Sequence, residues 1–370
     1  MAIIAHTSTT LSSKQAATPD HIYYHSDGDF KVLVGHTIFR THSFAFARHG
    51  ANRLKANIAT SPGEQSVSKG QLVVLNDLTP DDFRALCWAV YLHPGDAQPG
   101  IDDIDRMLRV ASMSHTYGFP TLLKWACKYL TDTAARIAGL PAVERPGWDP
   151  PFLSRLLRVC VARGLTAAVH DFQDIWIDRL AAKSTSAFPE AITTAEDLHL
   201  RRLQGYAYYY QLGVAHERES VPSHRATLYD IPGLTEEQKF RLADGYRSLT
   251  IFCEKFLVGD IRAEAFLLDS SVCNGKTHQA TCTKFIRACV NRALGSSDLR
   301  VFEALGCIDK VIGELRGESH IRKACRMAAI ERLTALRKRV EDTLADHFTP
   351  VSALRLRMSG ELPIFGHVAD

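Results

Sequence analysis

The 370-residue sequence lacks several features that would assign it to a specialised class of protein. No apolar run approaches the roughly 20 residues that a helix needs to cross a bilayer, and residues 1–10 have no basic stretch ahead of a long apolar core. There is no Asn-x-Ser/Thr sequon and no Cys-x-x-Cys pair, and the nine cysteines are odd in number. These absences predict an intracellular protein of the cytoplasm or nucleus, without a membrane span.

A strong excess of charge is also lacking. Forty-four Lys and Arg residues against 41 Asp and Glu residues leave a net charge of +3, which is too small to indicate nucleic acid or an anionic membrane as a partner. Hydrophobic residues make up 46% of the chain, which is typical of soluble globular proteins. At about 150 residues per domain, the length favours two domains.

The N-terminal part of the chain predicts a small sheet. Residues 1–20 are rich in Ser, Thr, Ala and Gln and are predicted to be a disordered tail. Apolar and polar residues then alternate over 30–34 and 37–42, on either side of a Gly-His turn, which indicates a hairpin. A further strand is predicted at 71–75.

Helical signals follow these strands. Ser43 is predicted to cap a helix that runs toward Leu54, and Thr79, followed by Pro80, to cap another that reaches Leu92. Apolar residues at helical spacing over 104–130 predict a second helical pair. We expect residues 21–135 to form one α+β domain, and its predicted buried residues are Phe39, Leu72, Val74, Phe83, Leu86, Met107, Leu108 and Leu123.

The remainder of the chain predicts an all-α domain. A Pro- and Gly-rich linker at 136–151 separates it from the first domain. The helical domain is expected to span 152–350, and 351–370 to be a C-terminal tail. Helical periodicity occupies about 151–182, 191–212, 235–258, 279–293, 298–316 and 319–347.

The segment from Ser26 to Asp132 resembles the BTB/POZ domain. The resemblance depends on Asp29, which opens the first hairpin strand, on Phe39-Arg40-Thr41-His42 at the end of the second, and on the order of the later elements. A helical second half after such a domain is similar to a fungal class of BTB proteins. The resemblance implies a small sheet packed with helices, followed here by the all-α domain, and a protein that acts by binding other proteins.

The resemblance also implies a homodimer and suggests a partner. BTB domains commonly dimerise through the first helix and its surroundings, which correspond here to Asp29, Phe44, Phe46 and Arg48. Many members are substrate adaptors of cullin ubiquitin ligases, although the loop at 56–69 does not carry the hydrophobic-x-Glu signature of cullin binders. We therefore expect an adaptor or scaffold, with a cullin as one candidate partner, and no enzyme.

Four residues of the helical half are candidate zinc ligands. His278 and Cys282 stand at i and i+4 on a predicted helix, so that imidazole and thiolate share one face. The Asn-Gly turn before them can return Cys273 toward the pair. The fourth ligand must be Cys325 or Cys253, and Cys325 is the candidate because it begins the last long helix. A structural zinc ion is the hypothesis, and ordinary packing of these residues is the alternative.

The other chemical signals are weaker. Gly275-Lys276-Thr277 lacks the first glycine of a P-loop, and the stretch from His216 lacks the second histidine of a zinc protease. Tyrosines at 206 and 208–210 predict helix packing rather than base stacking. The basic residues of the last helix, interrupted by acidic ones, leave a chromatin-associated regulator with weak DNA contact as the alternative function; they are Arg322, Lys323, Arg326, Arg332, Arg337, Lys338 and Arg339.

Overall fold

A computed structural model describes residues 16–50, 72–92, 99–182, 188–219, 231–267, 276–295 and 303–349, with the side chains of 216–219 and 276–279 excepted. The chain divides into two compact units. The first comprises the described residues as far as Glu144 together with 156–171, and the second comprises 145–155 and the residues from Phe172 onward. One boundary therefore falls inside the predicted linker, whereas 156–171, predicted to belong to the helical domain, group with the first unit.

The first unit contains a mixed four-stranded sheet. Its strands are β1 (Thr18–Tyr24), β2 (Phe30–Val34), β3 (Thr37–Thr41) and β4 (Leu72–Leu75), in the order β1-β3-β2-β4. β2 and β3 form the predicted antiparallel hairpin, while β1 is parallel to β3 and β4 is parallel to β2. β1 was not predicted as a strand, and it begins inside the segment predicted to be a disordered tail.

Among the described residues as far as Glu144, the α-helices are α1 (Ser43–Ala47), α2 (Pro80–Tyr91), α3 (Ile104–Tyr117) and α4 (Pro120–Ala138). The hydroxyl of Thr79 accepts the backbone N–H of Asp82 at 3.2 Å, so the predicted cap of α2 is confirmed. α3 ends at Gly118, whose φ of 75° lies in the left-handed region that glycine adopts without strain. α1 is shorter than the predicted helix, whose last residues lie outside the described ranges.

The core of the first unit lies against one face of the sheet. Phe39, Phe83, Leu86, Met107 and Leu108 are buried as predicted, and Leu123 is half-buried. Leu72 and Val74 were predicted to be buried, but their exposed fractions are 43% and 52%. Val73 and Leu75 point into the core instead, because strand side chains alternate between the two faces. When every residue of a strand is apolar, as in β4, the sequence does not indicate which face of the strand is buried.

The rest of the described chain is helical, as predicted. Two of the predicted helical segments are divided into two helices each. Segment 151–182 is interrupted at Gly164, with φ 67°, and segment 191–212 is interrupted at His199, with φ 55°. The helices are α5 (Pro150–Ala162), α6 (Thr166–Ala181), α7 (Phe188–Asp197), α8 (Arg201–Glu219), α9 (Glu236–Phe252), α10 (Val258–Phe266), α11 (Lys276–Leu294), α12 (Ala304–Gly317) and α13 (Lys323–His347), with a π-helical turn at Cys253–Leu257 between α9 and α10.

A polar network joins three helices of the second unit. The carboxylate of Glu196 on α7 accepts the hydroxyl of Tyr208 on α8 at 2.7 Å and the side-chain amide of Gln238 on α9 at 3.0 Å. The guanidinium of Arg241 pairs with the same carboxylate. Because these groups are mostly withdrawn from water, each needs the partners that the others supply.

The tyrosine cluster of α8 belongs to this packing. Tyr206, Tyr208 and Tyr209 are buried, and the hydroxyl of Tyr209 accepts the backbone N–H of Leu305 at 3.2 Å. Tyr208 also stacks on Phe348, with ring centroids 4.9 Å apart. The interpretation of these tyrosines as helix-packing residues is therefore supported over a role in stacking on bases.

Candidate interaction site

The surface around α1 is built on one exposed aromatic side chain. Phe44 is the second residue of α1 and has an exposed fraction of 65%. A partner that covered this ring would remove a large apolar area from water, which makes Phe44 a candidate anchor of an interface.

Asp29 fixes the start of α1. Its carboxylate accepts the backbone N–H of Ser43 at 2.7 Å and the hydroxyl of Ser43 at 2.6 Å. Ser43 was predicted to be the cap, but it is the first helical residue, and a carboxylate 14 positions earlier in the chain satisfies its N–H. The hydrogen bonds from Ser43 lower the pKa of Asp29, which keeps this carboxylate charged.

A second set of contacts holds the residue before α1. The hydroxyl of Tyr91 accepts the backbone N–H of His42 at 2.8 Å and lies 2.9 Å from Nδ1 of the same residue. Nε2 of His42 lies 3.3 Å from the carboxylate of Asp27, and the ring of His25 packs beside that of His42 with 5.3 Å between centroids. Phe44 therefore projects from a backbone that is fixed on both sides of the strand-to-helix junction.

The structure separates the four residues predicted for the dimer interface. Asp29, Phe44 and Arg48 lie at the surface, and the last two are four residues apart on one face of the chain. Phe46 is buried, with ring centroids 5.7 Å from Phe30 and 6.1 Å from Phe83. Phe46 is thus a core residue that supports α1 from beneath. Residues two positions apart on a helix point about 200° apart, so Phe44 and Phe46 face opposite sides.

Sequence reasoning missed Tyr91 and Asp27 as supports of this site. Tyr91 is 49 positions from His42, so their contact is tertiary and leaves no local pattern in the sequence. Asp27 lies in the turn that precedes β2, where an aspartate is expected for reasons of turn geometry alone.

A cleft of about 480 Å³ in the first unit is lined by paired charges. Arg84 donates to the buried Asp20 at 2.8 Å, Arg109 to Asp82 at 2.8 Å, and Arg106 to Asp103 at 2.9 Å. Each of these guanidinium groups already has a carboxylate partner within the fold. The Arg84–Asp20 pair links α2 to β1, and the Arg109–Asp82 pair links α3 to α2.

Two of the four candidate zinc ligands can be located. Cys282 on α11 and Cys325 on α13 are both buried. Cys273 and the side chain of His278 lie outside the described residues. Within the described part of the chain, no three His, Cys, Asp or Glu side chains are grouped so that they could hold a metal ion. The zinc site stays a prediction.

Four of the basic residues on α13 make contacts within the second unit. Arg326 donates to the carbonyl of Glu318 at 2.8 Å, and Arg332 donates to that of Glu264 at 3.0 Å. Arg337 pairs with Asp309 at 2.8 Å, and Arg339 pairs with the carboxylate of Glu264 at 2.6 Å. These four arginines therefore connect α13 to neighbouring helices.

No family model matches this chain, and comparisons with curated proteins and with solved structures find no match either. None of the described helices combines the length and the apolar character that crossing a membrane requires.

Proposed function

We propose that the protein is a non-enzymatic interaction protein of the BTB/POZ type, an adaptor or scaffold that forms a homodimer through the surface around α1. The observation that carries the proposal is the exposure of Phe44 on a firmly anchored helix start. An aromatic side chain on an anchored backbone has only its two side-chain torsions left to order when a partner covers it, which suits an interface anchor.

The charges around Phe44 favour a second copy as the molecule that covers it. Asp29 lies at one end of α1 and Arg48 at the other. In a two-fold symmetric dimer, the same patch of both copies forms the interface, and the two α1 helices run in opposite directions. Asp29 of each copy then faces Arg48 of the other copy, and the two Phe44 rings meet between these pairs. Like charges would not be opposed in this arrangement.

The helical half is proposed to bind a further protein, and a cullin ubiquitin ligase is one candidate partner of the whole. A chromatin-associated regulator is the second candidate. It is favoured less, because four of the seven basic residues predicted for this surface already bind acceptors of their own unit. Measuring DNA binding between 50 and 200 mM salt separates the two, since phosphate contacts weaken about 10³-fold or more over this range when many are made.

Sedimentation equilibrium of the full chain tests the dimer. We expect a dimer at tens of micromolar, and Phe44→Glu should convert it to a monomer because two carboxylates would then meet at the two-fold axis. The matched control is Phe256→Glu, which changes a side chain of similar exposure, 55%, in the second unit and should leave the dimer intact. A wild-type monomer, or equal effects of both substitutions, would contradict the proposal.

A further inference from the structure

The two edges of the sheet in the first unit differ in how they are protected. β1 carries Pro19 and the charged Asp20, and its pairing with β3 is irregular between Pro19 and Tyr24. Proline, charge and irregular pairing are the features by which sheets keep other strands away from an edge. β4 has none of them: its sequence is Leu-Val-Val-Leu, and its pairing with β2 is regular.

The outer edge of β4 is also free of backbone partners among the described residues. Its hydrogen bonds run to β2, and no other described strand or turn bonds to its backbone. A short edge of this kind presents unpaired N–H and C=O groups in the spacing that an incoming strand requires.

The solvent face of the sheet next to this edge has a defined pattern. In one row across the sheet, Ile38, Leu33 and Val74 are neighbours, and Pro19 extends the row on β1. In the next row, Arg40 on β3 is the neighbour of Lys31 on β2, and Lys31 is the neighbour of Leu72 on β4. The solvent face therefore carries an apolar row that reaches the edge at Val74. Beside it lies a row with two basic residues that reaches the edge at Leu72.

We propose that the free edge of β4 binds an extended segment of a partner protein, which adds as a fifth strand and carries an acidic residue beside Leu72 and an apolar residue beside Val74. The apolar residue would continue the row of Ile38, Leu33 and Val74. The acidic residue would lie two strands, about 10 Å, from the backbone of Lys31, a gap that the lysine and glutamate side chains can bridge between them.

Charge favours a separate partner over the two segments of this chain that lead into β4 and β1. Residues 51–71, which lead into β4, contain three basic residues and one acidic residue, and residues 1–15 contain one lysine and no acidic residue. Neither segment therefore has the net negative charge that would compensate the positive charges of Lys31 and Arg40. A second copy of β4 would not supply it either, because all four of its residues are apolar.

This surface goes beyond the proposed dimer and is independent of it, since the dimer is argued from Phe44 on α1. Synthetic fluorescent peptides test it directly by fluorescence anisotropy with the full chain. The probe peptides place Glu and Val at alternate positions of a Thr-rich extended sequence, in both orders, so that parallel and antiparallel addition are both sampled. Their controls replace Glu by Lys, or methylate alternate backbone nitrogens to remove the donors of an added strand.

One of the two Glu peptides should bind about threefold or more tightly than its Lys counterpart, and Lys31→Glu should invert that preference. The N-methylated peptide should not bind. Val74→Lys should weaken binding, whereas Ile22→Lys, which places the same charge at a similarly exposed position on β1, should not. Circular dichroism and thermal melts establish that each variant is folded.

Three results would overturn the inference: equal binding of the Glu and Lys peptides, undiminished binding of the N-methylated peptide, or equal effects of Val74→Lys and Ile22→Lys. Absence of binding by every peptide would overturn it as well, because the edge would then be covered or inert. Phe44→Glu is expected to bind the peptide as the wild type does, so a failed dimer and a failed edge are told apart.

Discussion

His347, at the end of α13, is a buried group that contributes to the response of the second unit to pH. Its Nδ1 lies 2.8 Å from the hydroxyl of Ser248 on α9, and its ring packs against Phe252 with 5.5 Å between centroids. Burial lowers the pKa of His347 below its ordinary value of 6.5. The folded protein therefore holds this imidazole neutral.

The sign of the pH dependence follows from that direction. Below about pH 6.5 the unfolded chain binds a proton that the folded chain does not, so the stabilisation is complete above that pH and declines as the pH falls through 6.5. We expect the free energy of unfolding to fall between pH 7 and pH 5, measured by urea denaturation. His347→Asn should reduce this slope by more than His170→Asn does, a change at an exposed histidine. Equal slopes in all three proteins would contradict the prediction.

At the scale of elements, glycine allows α9 to approach the chain after α13. A Cβ at Gly245 would overlap the ring of Phe348, which is itself buried against Tyr208. Glycine has a lower helix propensity than alanine, but at this position it allows the close packing of α9 against Phe348.

Gly245→Ala should lower the free energy of unfolding by about 1–3 kcal/mol through overpacking. Gly313→Ala is the matched control, because Gly313 lies inside α12 and a Cβ there would meet nothing within 4 Å. That control should raise the free energy of unfolding by about 0.5–1 kcal/mol, since alanine is the better helix former. Chemical denaturation measures both, and the same sign for the two substitutions would count against the argument.

Elements with a local signal could be predicted from the sequence. The β2–β3 hairpin follows from two short segments of period-two character on either side of a Gly-His turn, and the start of α2 follows from Thr79 and Pro80. β1 could not be predicted, because its residues are mostly exposed and its partner β3 lies beyond the next strand in the chain. No apolar face marks such a strand in advance.

The candidate site was predictable only in part, for a similar reason. Asp29, Phe44 and Arg48 lie at the surface, as an interface requires, whereas Phe46 lies in the core. A five-residue helix is too short for its periodicity to distinguish the buried side from the exposed side. Phe44 and Phe46 were therefore both predicted to lie in the dimer interface. β4 presented the same ambiguity with Leu72 and Val74.

On the scale of the whole molecule, the zinc hypothesis makes a distinct prediction. If Cys282 and Cys325 are joined by Cys273 and His278 around an ion, full-length protein purified under reducing conditions without chelator should contain one zinc per chain by elemental analysis. Removing the ion should unfold the helical half, because the free energy of metal binding is then part of the free energy of folding.

Cys325→Ser should abolish the zinc content, and Cys87→Ser, at a buried cysteine of the first unit, should not. Zinc-free protein with an unchanged melting temperature would assign Cys282 and Cys325 to packing alone.

The π-helical turn between α9 and α10 bears on insertions and deletions in related chains. The buried side of this region is marked by Leu249, Cys253, Leu257, Ile261 and Ala265, each four residues after the last. In a regular α-helix a step of four residues overshoots a full turn by about 40°, so four steps would carry the stripe about 160° around the axis. The wider turn at Cys253–Leu257 absorbs part of that drift. A sequence one residue shorter here could form a continuous α-helix, and its apolar stripe would then be spaced three and four residues apart rather than four throughout.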